Sequence, residues 1–166
     1  ETVDLVAEIA NLVETPVGIR GEFDARYLDL PEQVLTTVMA THQRYLPVRD
    51  ADGVLLPYFV TMANGACDED LVRRGNESVL RARYEDALFF WNADLAGNDL
   101  DAFVPRLEQL TFAEHLGSVG QRARRIADVA AVLGQLVGAG DADTQTLARA
   151  GELTKFDLAS QMVIEM

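Results

Sequence analysis

Apolar residues recur along this chain at two different spacings, and the change between them predicts its elements. From residue 2 to 13, Val3, Val6, Ala7, Ala10 and Val13 fall on one helical face, and Pro16 ends the run. Val17 to Phe23 reads as a strand interrupted by Gly18 and Gly21, followed by an irregular stretch or single turn over Asp24–Leu30. Pro31 suits a helix start, with Val34, Leu35, Val38 and Met39 as the buried stripe. Tyr45 to Arg49 and Val54 to Met62 are β-type runs joined by Asp50-Ala51-Asp52-Gly53. The Asp-Gly dipeptide suits a tight reversal, so a β-hairpin is expected over 45–62. Residues 69–92 read as a long helix with Val72, Leu80, Tyr84, Ala87, Leu88 and Trp91 on one stripe. Its polar side offers the i,i+4 pairs Glu69–Arg73, Glu77–Arg81 and Arg81–Glu85, and Gly75 weakens it by about 1 kcal/mol relative to alanine.

Residues 96–105 read as a connector, with Gly97-Asn98 at one end and Pro105 at the other. They divide an α+β subdomain (1–98) from a helical subdomain (99–166). A short helical segment is expected over 106–115. Ser118 is positioned to cap a helix whose apolar residues are Ile126, Val129, Ala130, Leu133, Leu136 and Val137, and Gly138-Ala139-Gly140 stops it. The last helix, capped by Asp143 or Thr144, is expected to run to the chain end and, being apolar nearly all round, to be buried. The fold class is thus α+β: a hairpin-containing α/β subdomain, then an all-helical bundle.

Composition narrows the function classes. Apolar residues make up 49% of the 166 residues, enough for a sizeable core. No apolar run approaches the roughly 20 residues that span a bilayer, and residues 1–14 hold four acids and no Lys or Arg. A cytoplasmic, membrane-free protein is expected, with both ends read as cut from a longer polypeptide. The single Cys67 excludes an internal disulfide or a cysteine-based zinc site. The net charge of −13 argues against a general nucleic-acid coat, because such binding needs Lys and Arg against phosphates. It leaves room for a local basic strip. Arg73, Arg74, Arg81 and Arg83 on the long helix are the candidate strip, and Arg122, Arg124 and Arg125 a shorter second one.

Other chemistry-bearing residues read as structural. His42 has no partner nearby in sequence, and His115 lies far along the chain, so His42 is expected to be a hydrogen-bonded structural group. Asp157 shares a helix face with Leu153, Ser160 and Ile164 and is expected to be a buried carboxylate, paired with a base or capping a helix end. Tyr58, Phe59, Phe89, Phe90 and Trp91 read as core aromatics, with base stacking as the alternative. No glycine-rich phosphate loop, nucleophile elbow or Cys/His triad is present.

An ordered series of short motifs adds a family resemblance. It runs from His42-Gln43-Arg44-Tyr45 through Leu56-Pro57-Tyr58-Phe59, Ala63-Asn64-Gly65, Gly75-Asn76-Glu77 and Val79-Leu80-Arg81-Ala82-Arg83 to Phe89-Phe90-Trp91. Flanking pieces such as Asn11-Leu12-Val13-Glu14, Leu116-Gly117-Ser118 and Leu153-Thr154-Lys155-Phe156-Asp157-Leu158 continue it. The series resembles the middle of the bacterial glycyl-tRNA synthetase β subunit. The resemblance implies an enzyme of α₂β₂ design, sometimes with the two parts fused, whose α part carries the class II site for glycine, ATP and Mg²⁺. The β subunit would support tRNA(Gly) binding and aminoacylation. This stretch would be a non-catalytic internal piece, without cofactor of its own, running from the end of a B3/B4-like region into an HD-like helical domain. An HD-type metal-dependent phosphohydrolase is one alternative, but Lys155-Phe156-Asp157 stands where the adjacent His-Asp pair of that chemistry belongs. A purely architectural subunit-interaction domain is the other.

Overall fold

In the computed structural model, which describes residues 2–97 and 100–165, helices dominate and the strands form two small antiparallel sheets. The chain divides into two compact units, 1–89 and 90–166. The boundary expected between residues 98 and 99 lies outside the described residues.

The first unit opens with α1 (Thr2–Leu12) and β1 (Pro16–Glu22), then a 3₁₀ turn (Ala25–Asp29) and α2 (Glu32–Thr37), which runs on as a π turn (Val38–His42). Strands β2 (Leu46–Arg49) and β3 (Leu55–Asn64) form the expected hairpin, and α3 (Glu69–Ala96) starts in this unit. At the hairpin tip Asp50 Oδ1 accepts the Asp52 and Val54 N–H groups at 3.0 and 2.9 Å, and Gly53 takes φ +85°, which suits a residue without Cβ. The sheet order is β1-β3-β2, with Ile19 opposite Thr61 and Gly21 opposite Phe59. A Cβ on Gly21 would stand 2.6 Å from Phe59 Cε1, so this glycine admits the ring onto the sheet.

Aromatic packing dominates the core. The Tyr84 ring lies 5.1 Å from Phe23 and 5.3 Å from Tyr27, and Tyr45 stacks on Phe59 at 4.7 Å. Leu35, Val38, Met39 and Leu80 complete it. The buried Tyr84 hydroxyl donates to the Leu35 carbonyl at 3.1 Å, which satisfies it without water. In α1 the inward residues are Leu5 and Ile9, whereas Val6, Ala7 and Ala10 are exposed; the Val3 side chain lies outside the described residues. The i,i+4 pair of larger side chains takes the core contact. Val6, Ala10 and Val13 instead line an open apolar groove with Leu46 and Met62.

The second unit is helical with one short exception. A 3₁₀ turn over Val104–Gln109 leads into β4 (Thr111–Ala113), which pairs with β5 (Gly117–Ser118). The helical segment expected over 106–115 is therefore half turn and half ribbon. Pro105 starts the turn, but β-branched Thr111 and a reversal at Gly117 (φ +79°) favour a ribbon beyond it. Ser118 then caps α4 (Val119–Leu136) as expected: its hydroxyl accepts the Gln121 N–H at 3.0 Å while Gln121 Oε1 accepts the Ser118 N–H at 3.2 Å. Phe103, Leu107, Val119 and Ala159 form the core cluster.

Two expectations about the last helices need correction. The terminal helix is not continuous. α5 (Asp141–Glu152) ends, Lys155 turns left-handed at φ +67°, and a 3₁₀ turn (Phe156–Ala159) precedes α6 (Gln161–Glu165). That reversal carries Phe156, Leu158 and Ala159 onto the Phe103–Leu107 core. Nor is the helix buried: within α5 only Gly151 is. α4 likewise buries Ala123, Ala127 and Gly134, while Val129, Leu133 and Leu136 are exposed. A Cβ on Gly151 would lie 2.7 Å from Ala127 N and 2.8 Å from Ala127 Cβ, and one on Gly134 would lie 2.9 Å from Leu147 Cδ1. The α4–α5 pair therefore runs antiparallel along a seam of small residues, and close backbone approach takes the place of large side chains.

Candidate nucleic-acid interface

The long helix carries the predicted strip. Asp68 caps it by accepting the Leu71 N–H at 3.0 Å, and Leu80, Tyr84 and Ala87 face the core. At about 100° per residue, Arg74 and Arg81 fall on one flank of that inward face and Arg83 on the opposite flank. Arg73 lies closer to the core line and pairs with Asp70 at 2.6 Å. The four arginines therefore do not form one face.

None of the expected i,i+4 pairs forms among the described residues: Arg73 pairs with Asp70 in place of Glu69, and Glu77 and Glu85 are engaged elsewhere. Glu77 Oε1 accepts the Glu22 N–H at the edge of β1 at 3.1 Å. Glu85 accepts the Tyr27 hydroxyl at 2.8 Å and pairs with Arg26. Asn76 accepts the Tyr45 hydroxyl at 2.7 Å. The Tyr27 hydrogen bond, then the charge of Glu85, raises the Arg26 pKa, while burial raises that of Tyr27. Buried tyrosine hydroxyls thus recruit the polar side of α3. Among the described residues Arg74, Arg81 and Arg83 have no carboxylate partner; Arg81 donates only to Ser78 Oγ at 3.3 Å.

The α4 cluster is divided as well. Arg124 pairs with Glu108, which also accepts the Ser118 hydroxyl at 2.8 Å. Arg122 lies 4.2 Å over the Phe112 ring, and Arg125 donates to the Leu116 carbonyl at 3.0 Å.

His42 and Asp157, expected as buried polar groups, are both exposed. His42 ends the π turn. Arg44 then reverses the backbone at φ +56°, and Tyr45, its N–H donating to the Met39 carbonyl at 2.8 Å, fills the interior in its place. Asp157 sits on the outer side of the 3₁₀ turn that carries its neighbours inward. Of the five aromatics, Phe59 is core; Tyr58, Phe90 and Trp91 are half-buried, with Arg20 5.0 Å over the Tyr58 ring. Phe89, expected in the core, is 65% exposed. Its position on α3 falls away from the Leu80–Tyr84–Ala87 line.

Sequence reasoning misses a polar cleft of about 490 Å³ lined by Asp4, Glu8, Thr37, Thr41, Arg44 and Arg49. Arg44 pairs with Glu8 and Arg49 with Glu32, both at 2.6 Å. The partners stand 36 and 17 residues apart, beyond the reach of any local pattern. Among the described residues no three His, Cys, Asp or Glu side chains converge as a metal site, and no helix is long and apolar enough to cross a membrane.

The whole sequence, residues 1–166, matches the family model for the glycyl-tRNA synthetase beta subunit. The chain belongs to this family. Glycine–tRNA ligase beta subunits of Synechocystis and Bacillus subtilis are each 44% identical to it over 163 residues, and that of Streptococcus gordonii is 47% identical over 165. Each match takes in 98% of this chain but only 22–24% of the relative. The chain thus corresponds to about a quarter of a glycine–tRNA ligase beta subunit, and the ordered motifs from His42 to Trp91 lie within the matched stretch.

Proposed function

We propose that this part of the beta subunit is a non-catalytic module that helps hold tRNA(Gly) for glycylation by the α subunit. The ATP- and Mg²⁺-dependent chemistry belongs to the α-subunit site, in the cytoplasm. The module contributes by orienting the RNA toward that site. The observation that carries this reading is the unneutralised arginine flank of α3. In a chain of net charge −13, Arg74 and Arg81 share one exposed flank with no carboxylate partner among the described residues. Free guanidinium groups on a rigid helix suit phosphate and 2′-hydroxyl contacts.

Charge reversal in the complete α/β synthetase tests the proposal. Arg81→Glu and Arg83→Glu, each made singly, are expected to weaken tRNA(Gly) binding and to lower the slope of log Kd against log salt by about one for each phosphate no longer neutralised. The effect is expected to be larger for Arg81, which has Arg74 beside it. Unchanged affinity at low salt in both variants overturns the proposal and leaves a purely architectural role.

A further inference from the structure

We propose that the exposed apolar stripe of α4 is the seat of an amphipathic helix from the part of the beta subunit outside these 166 residues. α4 presents two faces roughly 120° apart at about 100° per residue. One is the small-residue seam against α5. The other carries Ile126, Val129, Leu133 and Leu136 in register over about three turns, and the first three of these, with Phe112 and Leu116 beside them, line an open groove of about 520 Å³. Val129, Leu133 and Leu136 are 57%, 54% and 76% exposed. Such a contiguous stripe marks a contact surface, whereas single exposed apolar residues need no explanation.

Three observations define the occupant. The stripe follows helical spacing for about 15 Å, which fits a helix of some 10–12 residues laid along it. Its rim is basic: Arg122 and Arg125 have no carboxylate partner among the described residues and are held in place by Phe112 and the Leu116 carbonyl. A helix with an apolar stripe and carboxylates beside it meets both requirements. Finally, the chain accounts for 22–24% of its relatives' length, so about three quarters of such a subunit is available to supply that helix on the same polypeptide. Tethering favours a segment of the same chain, because it replaces a bimolecular association by an intramolecular one. The inference rests on family membership and is independent of the tRNA reading.

The test places Leu133→Lys in two proteins: the 166-residue chain, and the same sequence set within a complete beta subunit. The expected result is a melting temperature lowered by about 5 °C or more in the complete subunit and changed by less than about 2 °C in the short chain, where Leu133 faces water. Because a lysine there can also impair folding of the complete subunit, Leu136→Cys supplies a second reading. Its thiol, followed by mass spectrometry, is expected to label at least tenfold more slowly in the complete subunit than in the short chain. Equal labelling in both overturns the proposal. So does self-association of the short chain that Leu133→Lys abolishes, since a second copy would then be the occupant. A Leu133→Lys subunit of unchanged stability that no longer binds α also overturns it, by making α the occupant.

Discussion

A single methyl group tests how closely α4 and α5 approach. In Gly151→Ala the new Cβ stands 2.7 Å from Ala127 N and 2.8 Å from Ala127 Cβ. Non-bonded carbons sit best at about 3.5–4.0 Å, so the overlap is about 1 Å. The obstacle is backbone as well as side chain, and no rotamer relieves it; the helices must separate along the seam of Ala123, Ala127 and Gly134. Overpacking of this kind costs about 1–3 kcal/mol, and a backbone obstacle belongs at the upper end, about 3. The better helix propensity of alanine returns up to about 1 kcal/mol, for a net loss of about 2. For a unit the size of residues 90–166, that corresponds to a melting temperature lower by about 8–16 °C. Gly75→Ala is the control. A Cβ there meets no atom within 4 Å in the interior of α3, so this variant is expected to gain about 1 kcal/mol. Urea and thermal unfolding, followed by circular dichroism, compare the two. If Gly151→Ala is neutral or stabilising, as Gly75→Ala is expected to be, the close-approach account of this helix pair is refuted.

Asp94→Ala is expected to destabilise the second unit by about 1 kcal/mol, because its two carboxylate oxygens accept the Gln161 and Met162 N–H groups at 2.9 and 3.0 Å and cap α6. Hydrogen exchange at those amides is expected to quicken in the variant; unchanged protection contradicts the cap. Stability is also expected to fall at alkaline pH. Burial holds the hydroxyls of Tyr27, Tyr45 and Tyr84 above their ordinary pKa of about 10, so the folded chain keeps protons that the unfolded chain releases. Their stabilising contribution is fully present below about pH 10 and is lost as pH rises from there through the folded-state values. Tyr84→Phe is expected to reduce that slope while costing about 1 kcal/mol at neutral pH for the lost hydrogen bond to Leu35. Urea midpoints that stay flat from pH 8 to 11 in the unmodified chain refute this.

Local signals are legible where one residue type answers one backbone need. Asp50 to Gly53 marks the hairpin tip, Ser118 the start of α4, and the Leu80–Tyr84–Ala87 line the inward face of α3. Size and distance defeat the rest. Large apolar residues do not reveal the face that α4 turns to α5, because the seam uses Ala127 and Gly134, whose value is their smallness. Charge pairs at i,i+4 look available in α3, but Glu85 reaches back to Tyr27 and Arg26, 58 and 59 residues away. Asp157 suggests a buried carboxylate because its helix face is partly apolar, and His42 a structural group because it has no partner nearby in sequence; a left-handed Lys155 and a π turn, neither announced by the sequence, set them outside. The family resemblance identifies what the chain belongs to and leaves open which of its arginines act.

A module that serves the RNA and not the chemistry of activation has a distinct kinetic signature, which steady-state kinetics of the complete α/β synthetase carrying Arg81→Glu would read. Glycine-dependent exchange of pyrophosphate into ATP, which needs no tRNA, is expected to match the unmodified enzyme, while KM for tRNA(Gly) in glycylation rises several-fold. An unchanged KM for tRNA(Gly), or a parallel loss of the exchange reaction, would contradict the account.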